Sequence, residues 1–171
     1  MTLKIGIAGA GVGGLAAAVA LRKQGHEVAI FEQASGFSRV GADINLTPNA
    51  VRALDGLGEG IAQATRASAA RPTHRISRSW DSGAETSRLT MGDEAERKYG
   101  APQLTIHRAD LLAALAQAFP LEQVRFGKRV QRIDAQAQGV SLRFADDSED
   151  TAYDVLIGAD GEVVQRGSGE I

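Results

Sequence analysis

Gly9, Gly11 and Gly14 stand in the pattern G-x-G-x-x-G, written out as Gly9-Ala10-Gly11-Val12-Gly13-Gly14, and Glu32 follows 18 positions after the last of them. These residue types at this spacing bind an anion rather than make or break bonds. Gly9 permits a tight turn, Gly11 lets the backbone approach a pyrophosphate with no Cβ in the way, and Gly14 lets a helix pack closely on a strand. A helix opening there offers unpaired N–H groups and the positive end of its dipole to the phosphates. A carboxylate at position 32 suits the hydroxyls of the attached ribose and repels a 2′-phosphate.

The elements that must position these groups are legible nearby. Leu3 to Ala8 is a short apolar run, the pattern of a buried parallel strand. Gly13 to Gln24 reads as an alanine-rich helix closed by Gly25, and Ala16-Ala17-Ala18 suits both helix propensity and close packing on a sheet. Val28 to Phe31 is a second buried strand, so a βαβ unit fills the first 32 residues. Thr47-Pro48 reads as an N-cap and first helical residue, with the helix running to Gly58. Arg75 to Trp80 and Ala84 to Leu89 read as a hairpin about Asp81-Ser82-Gly83. Residues 91–101 read as an exposed excursion, Gln103 to His107 as a strand, and Ala109 to Phe119 as a helix ended by Pro120. Val124 to Phe126, Val130 to Asp134 and Val140 to Phe144 read as a meander, and Tyr153 to Ala159 as one continuous strand. The fold class expected is α/β, a Rossmann-like βαβ start with a parallel sheet and an inserted antiparallel β-meander.

Composition narrows the function classes. The chain has 171 residues, a net charge of −2 and no cysteine. Disulfides, thiolate metal sites and a cysteine nucleophile are excluded, and the three histidines, His26, His74 and His107, do not form a metal-ligand spacing. Lysines and arginines are scattered among acids, which points away from nucleic acid as a partner. No apolar run approaches the roughly 20 residues of a membrane span, and no signal-peptide pattern opens the chain, so a cytoplasmic setting is expected.

Beyond the βαβ unit, the chain is similar to a family. Phe31-Glu32-Gln33-Ala34, then Phe37-Ser38-Arg39-Val40-Gly41-Ala42-Asp43-Ile44, then Thr47-Pro48-Asn49-Ala50 resemble the N-terminal third of the single-component FAD-dependent aromatic hydroxylases, the para-hydroxybenzoate and salicylate hydroxylase type. Arg78 to Gly83, Tyr99-Gly100-Ala101, Thr105 to Arg108 and Phe126 to Arg129 extend the likeness toward the members acting on 6-hydroxynicotinate. Tyr153 to Gly161 resembles the Asp-Gly fingerprint that serves FAD and pyridine-nucleotide binding in that family.

The resemblance implies FAD as cofactor and NAD(P)H as co-substrate, with a small aromatic substrate and O2 as partners; a homo-oligomer is compatible with it. It implies that Gly9, Gly11, Gly13 and Gly14 line the pyrophosphate and that Glu32, with Gln33 beside it, serves the adenosine ribose. Arg39 is expected near the cofactor diphosphate, Arg108 as a FAD-contacting arginine, the Val130 backbone near the adenine, and Asp160 in the Asp-Gly fingerprint. NAD(P)H reduces the flavin, and reduced flavin activates O2 for insertion into an electron-rich ring, so the cofactor carries the hard chemistry. No catalytic side chain is nominated, and His107 at a strand end is expected to be structural. Asn45 stands where nicotinate-type relatives carry a histidine; an amide cannot take up a proton as imidazole can, which argues against a nicotinate-type substrate.

The family usually runs to at least twice this length, adding a substrate-covering sheet. The expected organisation is therefore a FAD-binding domain over residues 1–161, incomplete relative to the family, and a non-family tail over 162–171, with the substrate domain largely missing. Such a chain is expected to be a truncated, frameshifted or deliberately cut portion of a hydroxylase and to lack hydroxylation on its own. Three other readings share the βαβ start: a different FAD-dependent oxidoreductase, a nucleotide-binding fragment without turnover, and a plain NAD-binding module.

Overall fold

A computed structural model of the chain describes residues 1–39 and 41–161. In chain order its elements are β1 (Lys4–Ala8), α1 (Val12–Lys23), β2 (Glu27–Glu32), β3 (Asp43–Leu46), α2 (Pro48–Leu57), α3 (Glu59–Ser68), β4 (His74–Arg78), β5 (Glu85–Thr90) and α4 (Asp93–Tyr99). They continue with β6 (Leu104–His107), α5 (Arg108–Gln117), a 3-10 turn at Leu121–Gln123, β7 (Val124–Phe126), β8 (Val130–Gln136), β9 (Gly139–Phe144), β10 (Glu149–Tyr153) and β11 (Val155–Gly158). The chain divides into two compact units, Met1–Ser38 with the chain from Leu115 onward, and Arg39–Ala114, so the division falls inside α5. The expected tail over 162–171 lies outside the described residues.

The first unit is built on a parallel sheet in the order β11-β1-β2-β7. Its central strands, β1 and β2, are apolar runs, the pattern of strands covered on both faces: Ile5, Ile7, Val28, Ile30 and Phe31 are all buried. Helix α1 is the crossover between β1 and β2, and its buried residues Gly14, Leu15, Ala18 and Val19 share one side of it. Counted along the chain, the strand order is 4-1-2-3, that of half a doubly wound sheet, and the connection reverses direction between β1 and β11. Ligands in such sheets bind outside the carboxyl ends of the strands at that reversal.

Strands β8, β9 and β10 form the antiparallel meander. Its core is an aromatic cluster: Phe31 of the parallel sheet meets Phe144 at 5.0 Å and Tyr153 edge-on at 5.7 Å between ring centroids. Such pairs contribute about 0.5–1.5 kcal/mol each beyond their buried area. Burial, reinforced by a hydrogen bond to Asp150, pushes the Tyr153 hydroxyl up to about 12.

Two expected strands are reassigned here. Val124 to Phe126 belongs to the parallel sheet, pairing with Ile30 to Glu32, and not to the meander. The single strand expected over Tyr153 to Ala159 is two. Tyr153 ends β10, and the register shifts between Asp150 and Tyr153 around Ala152 at φ +69°. Asp154 then takes the Lys4 N–H on its side chain at 2.7 Å and gives its own N–H to the Lys4 carbonyl at 2.8 Å. An apolar run cannot show such a break, because it is made by backbone pairing.

In the Arg39–Ala114 unit, β3 and β6 pair antiparallel, and Ala70 bridges to Thr105 of β6. Helix α2 follows Thr47-Pro48 as expected, although the Thr47 hydroxyl donates to Asn49 Oδ1 rather than capping a backbone N–H. Helix α3 has no counterpart among the expected elements; its buried face is only Ile61 and Thr65, too sparse a pattern to see. Arg66 clamps Asp55 of α2 through two hydrogen bonds, 2.5 and 2.8 Å, which lowers the Asp55 carboxyl below its ordinary value. The expected excursion over 91–101 contains α4, tied by Arg71 to Asp93 and Glu96. The β4–β5 hairpin is present, fully exposed on both strands. No helix among the described residues is long and apolar enough to cross a membrane.

Two predictions follow from this packing. The buried Thr65 hydroxyl has no hydrogen-bond partner, so Thr65→Val should raise stability by about 1 kcal/mol in chemical denaturation, while Thr65→Ser should lower it. Lys128, followed by Ser148, holds the Asp146 carboxyl down at about 2 from an ordinary 3.8. A depressed carboxylate contributes stability above its unfolded value and loses it as pH falls through the folded one. NMR titration should therefore find the Asp146 midpoint near 2 and the Lys128–Asp146 link released between about pH 4 and pH 2, with Lys128→Met moving that midpoint upward.

Candidate functional site

The carboxyl ends of β1 and β2 converge on the glycine turn. Gly9 donates its N–H to the Phe31 carbonyl at 2.7 Å, so the turn is pinned to β2 as it leaves β1. Gly9 adopts φ +103°, and a Cβ there would lie 2.7 Å from the Ala159 and Asp160 backbone. Gly14 is tighter still: a Cβ would sit 1.9 Å from the Gly9 carbonyl oxygen. These two glycines are required by the protein's own packing. Gly11 and Gly13 differ, since a Cβ at either would meet nothing within 4 Å. Their faces open onto free space.

Helix α1 begins at that space. Gly11 is its N-cap, no side chain caps it, and its first turn carries no acid. Its positive end is therefore not neutralised from within the turn, which suits an incoming anion.

Glu32 faces the same turn. Its Oε2 accepts the Ala10 N–H at 2.7 Å and its Oε1 accepts the Ala34 N–H at 2.8 Å. Both oxygens are thus fixed, and each keeps acceptor capacity for a hydroxyl. Gln33, the next residue, is exposed. Past β7 the chain returns along the end of β2: Lys128 donates its N–H to the Glu32 carbonyl at 2.8 Å, and Gly127 to the Ala34 carbonyl at 2.9 Å. Val130, two residues on, opens β8 and packs half-buried against the Phe31–Phe144–Tyr153 cluster. Asp160 stands just past β11, whose Ala159 N–H bonds to the Ala8 carbonyl at 2.7 Å. The first unit thus brings together Gly9, Gly11, Gly13, Gly14, Glu32, Gln33, Val130 and Asp160 around the carboxyl ends of its parallel strands.

Arg39 and Arg108 belong to the other unit. Arg39 Nη2 lies 2.9 Å from Asp110 Oδ1, and the Arg108 N–H donates to the Ala42 carbonyl at 3.1 Å. His107 accepts the Ala109 N–H on Nδ1 at 3.2 Å, acting as a cap for α5. Asn45 accepts the Thr105 hydroxyl on Oδ1 at 2.8 Å across the β3–β6 pair.

Sequence reasoning missed the two N–H partners of Glu32 and the Asp110 partner of Arg39. The former are main-chain groups of Ala10 and Ala34, which carry no side-chain signal. Asp110 had one available: an acid in the first turn of a helix that follows a candidate arginine.

The FAD binding domain family matches residues 2–165. The chain is 40% identical over 158 residues to 6-hydroxynicotinate 3-monooxygenase of Bordetella bronchiseptica, covering 92% of this chain and 40% of that protein. It is 40% identical over 166 residues to 3-amino-4-hydroxybenzoate 2-monooxygenase of Streptomyces cremeus, covering 96% and 41%. Among solved structures, Klebsiella pneumoniae HpxO complexed with FAD and uric acid superposes with a TM-score of 0.79 at 31% identity, covering 92% of this chain and 39% of that one. The chain thus spans about 40% of the length of the relatives it matches. With a match that runs over nearly its whole length, the chain belongs to the FAD binding domain family.

Proposed function

We propose that this chain is the cofactor-holding part of a flavoprotein monooxygenase that hydroxylates a small aromatic substrate with NAD(P)H and O2. The observation that carries the reading is Glu32. A carboxylate held by N–H groups from both sides of the turn is set for ribose hydroxyls, beside glycine faces left open for a diphosphate. The matched relatives named for 6-hydroxynicotinate and 3-amino-4-hydroxybenzoate act on hydroxylated aromatic acids, which supports an aromatic acid as substrate.

In this reading Gly9 and Gly14 hold the turn in shape while Gly11 and Gly13 admit the diphosphate to the α1 N–H groups. Glu32 orients the ribose, with Gln33 at the rim. The Val130 backbone lies toward the adenine side, reached by the 127–130 segment that runs along the end of β2. Asp160 flanks the strand reversal. Arg39 and Arg108 lie in the Arg39–Ala114 unit and carry charge of the sign an anion requires. FAD, when bound, supplies the redox and oxygen-insertion chemistry. The setting is cytoplasmic, and neither nucleic acid nor a membrane is a partner.

Titration of the chain with FAD, followed by quenching of flavin fluorescence, should give one site per chain, with NADP+ a poor competitor. Gly11→Ala should keep the thermal midpoint nearly unchanged and weaken FAD binding at least tenfold. Gly14→Ala should instead cost roughly 2 kcal/mol or more of stability, because its Cβ meets backbone. Equal loss of stability in both variants would remove the distinction between open and packed glycines. The activity itself is tested on the polypeptide at its relatives' full length: NAD(P)H consumption should rise on adding an aromatic acid, with one hydroxylated product per NAD(P)H oxidised. Oxidation without product for any hydroxylated benzoate or pyridine carboxylate would defeat the hydroxylase reading.

A further inference from the structure

Ala34, whose N–H meets Glu32 Oε1 at 2.8 Å, is itself held through its carbonyl. Gly127 adopts φ +70°, and that left-handed turn brings two successive N–H groups to the end of β2. Gly127 donates to the Ala34 carbonyl at 2.9 Å and Lys128 to the Glu32 carbonyl at 2.8 Å. Lys128 is fastened at its other end as well. Its ammonium lies 2.6 Å from Asp146 Oδ2 and 2.8 Å from Ser148 Oγ in the β9–β10 turn, and 5.4 Å over the Phe144 ring. With 28% of its side chain exposed, it is a partly buried strut rather than a solvated surface lysine. The turn that receives it is fixed in its own right: Ala145 donates its N–H to the Arg129 carbonyl at 2.9 Å, and Ser148 its N–H to Asp146 Oδ1 at 3.1 Å. All of these groups lie in the same compact unit as the glycine turn.

We propose that Lys128 is a positioning residue for Glu32: it ties the end of β2 to the β9–β10 turn, so that the Glu32 oxygens are set before ribose hydroxyls arrive, an assignment that rests on the flavin reading above. A carboxylate set in advance loses less freedom on meeting hydroxyls than one free to swing. The ammonium is also a cation, and through space it attracts a diphosphate whatever sugar is attached. The two effects separate by ligand. Positioning through Glu32 acts only on ligands with ribose hydroxyls, whereas bare charge acts on every adenosine diphosphate alike.

The test is calorimetric affinity of the full chain for ADP and for 2′,3′-dideoxy-ADP, which lacks both ribose hydroxyls. The variants are Lys128→Met, Asp146→Asn, Glu32→Gln and the double variant Lys128→Met/Glu32→Gln. The wild type should prefer ADP by about tenfold or more, the effect of leaving a charged acceptor without its hydroxyls. Lys128→Met keeps the aliphatic stem and should cut ADP affinity about three- to tenfold, while affinity for dideoxy-ADP changes by less than about twofold. Asp146→Asn, which loosens only the outer anchor, should narrow the preference in the same sense by about twofold. In the Glu32→Gln background, Lys128→Met should change neither affinity further, the signature of two residues acting as one. Retained dideoxy-ADP binding shows that a variant is folded, and if Lys128→Met does not fold, Asp146→Asn decides by the same ratio. Equal losses for both ligands, an unchanged preference, or additive losses in the double variant would overturn the proposal. A wild type that binds the two ligands equally, or neither, would instead overturn the placement of a ribose at Glu32.

Discussion

Two backbone N–H groups from opposite sides of one crevice end on a single carboxylate, and the first unit is organised around that fact. Glu32 joins Ala10, in the turn after β1, to Ala34, just past β2. Hydrogen bonds to a charged acceptor contribute roughly 1.5–3 kcal/mol each when well formed. The turn is therefore braced by a group that would otherwise remain mobile at a strand end. The same two bonds fix the oxygens that, in the proposed reading, a sugar would meet, so one group would serve as both scaffold and recognition element.

The backing of that group comes from further along the chain. Phe31, immediately before Glu32, is buried against Phe144 and Tyr153 of the meander. The next layer is Lys128, whose N–H meets the Glu32 carbonyl while its ammonium meets Asp146 and Ser148 at 2.6 and 2.8 Å. An antiparallel sheet with no visible chemistry of its own thus keeps the end of β2 straight. The aromatic rings exclude water from one side of the strand, and the Lys128 ammonium, 5.4 Å over the Phe144 ring, ties the charged hairpin turn to the same cluster.

What the sequence made legible follows from how local each signal is. The βαβ start, the glycine turn and the acid that follows were readable because their residues lie within about one supersecondary unit and their types have few other uses. Helix α3 was not, since Ile61 and Thr65 alone face its core. Strand β7 was assigned to the wrong sheet because three residues carry no information about which partner they pair with. The division at Asp154 was invisible for a related reason: a bulge is made by register, and an apolar run looks the same with or without it. At the candidate site, the residue types singled out from sequence have distinctive side chains, whereas the main-chain donors that hold Glu32 carry no such signal.

Strand β11 has a consequence for how the crevice comes into being. It pairs with β1, matching Ile5 with Val155 and Ala8 with Gly158, so neighbours in the sheet are separated by nearly the whole described chain. During synthesis the N-terminal βαβ segment leaves the ribosome long before that wall exists, with one edge of its central strand unpaired. Contacts of such long range are slow to form and leave strand edges exposed meanwhile. The glycine turn therefore acquires its floor, the Ala159–Asp160 backbone beneath Gly9, only as the last described residues arrive. Closure of the turn in this sense waits on residues 150 positions further along, even though the glycines themselves come first.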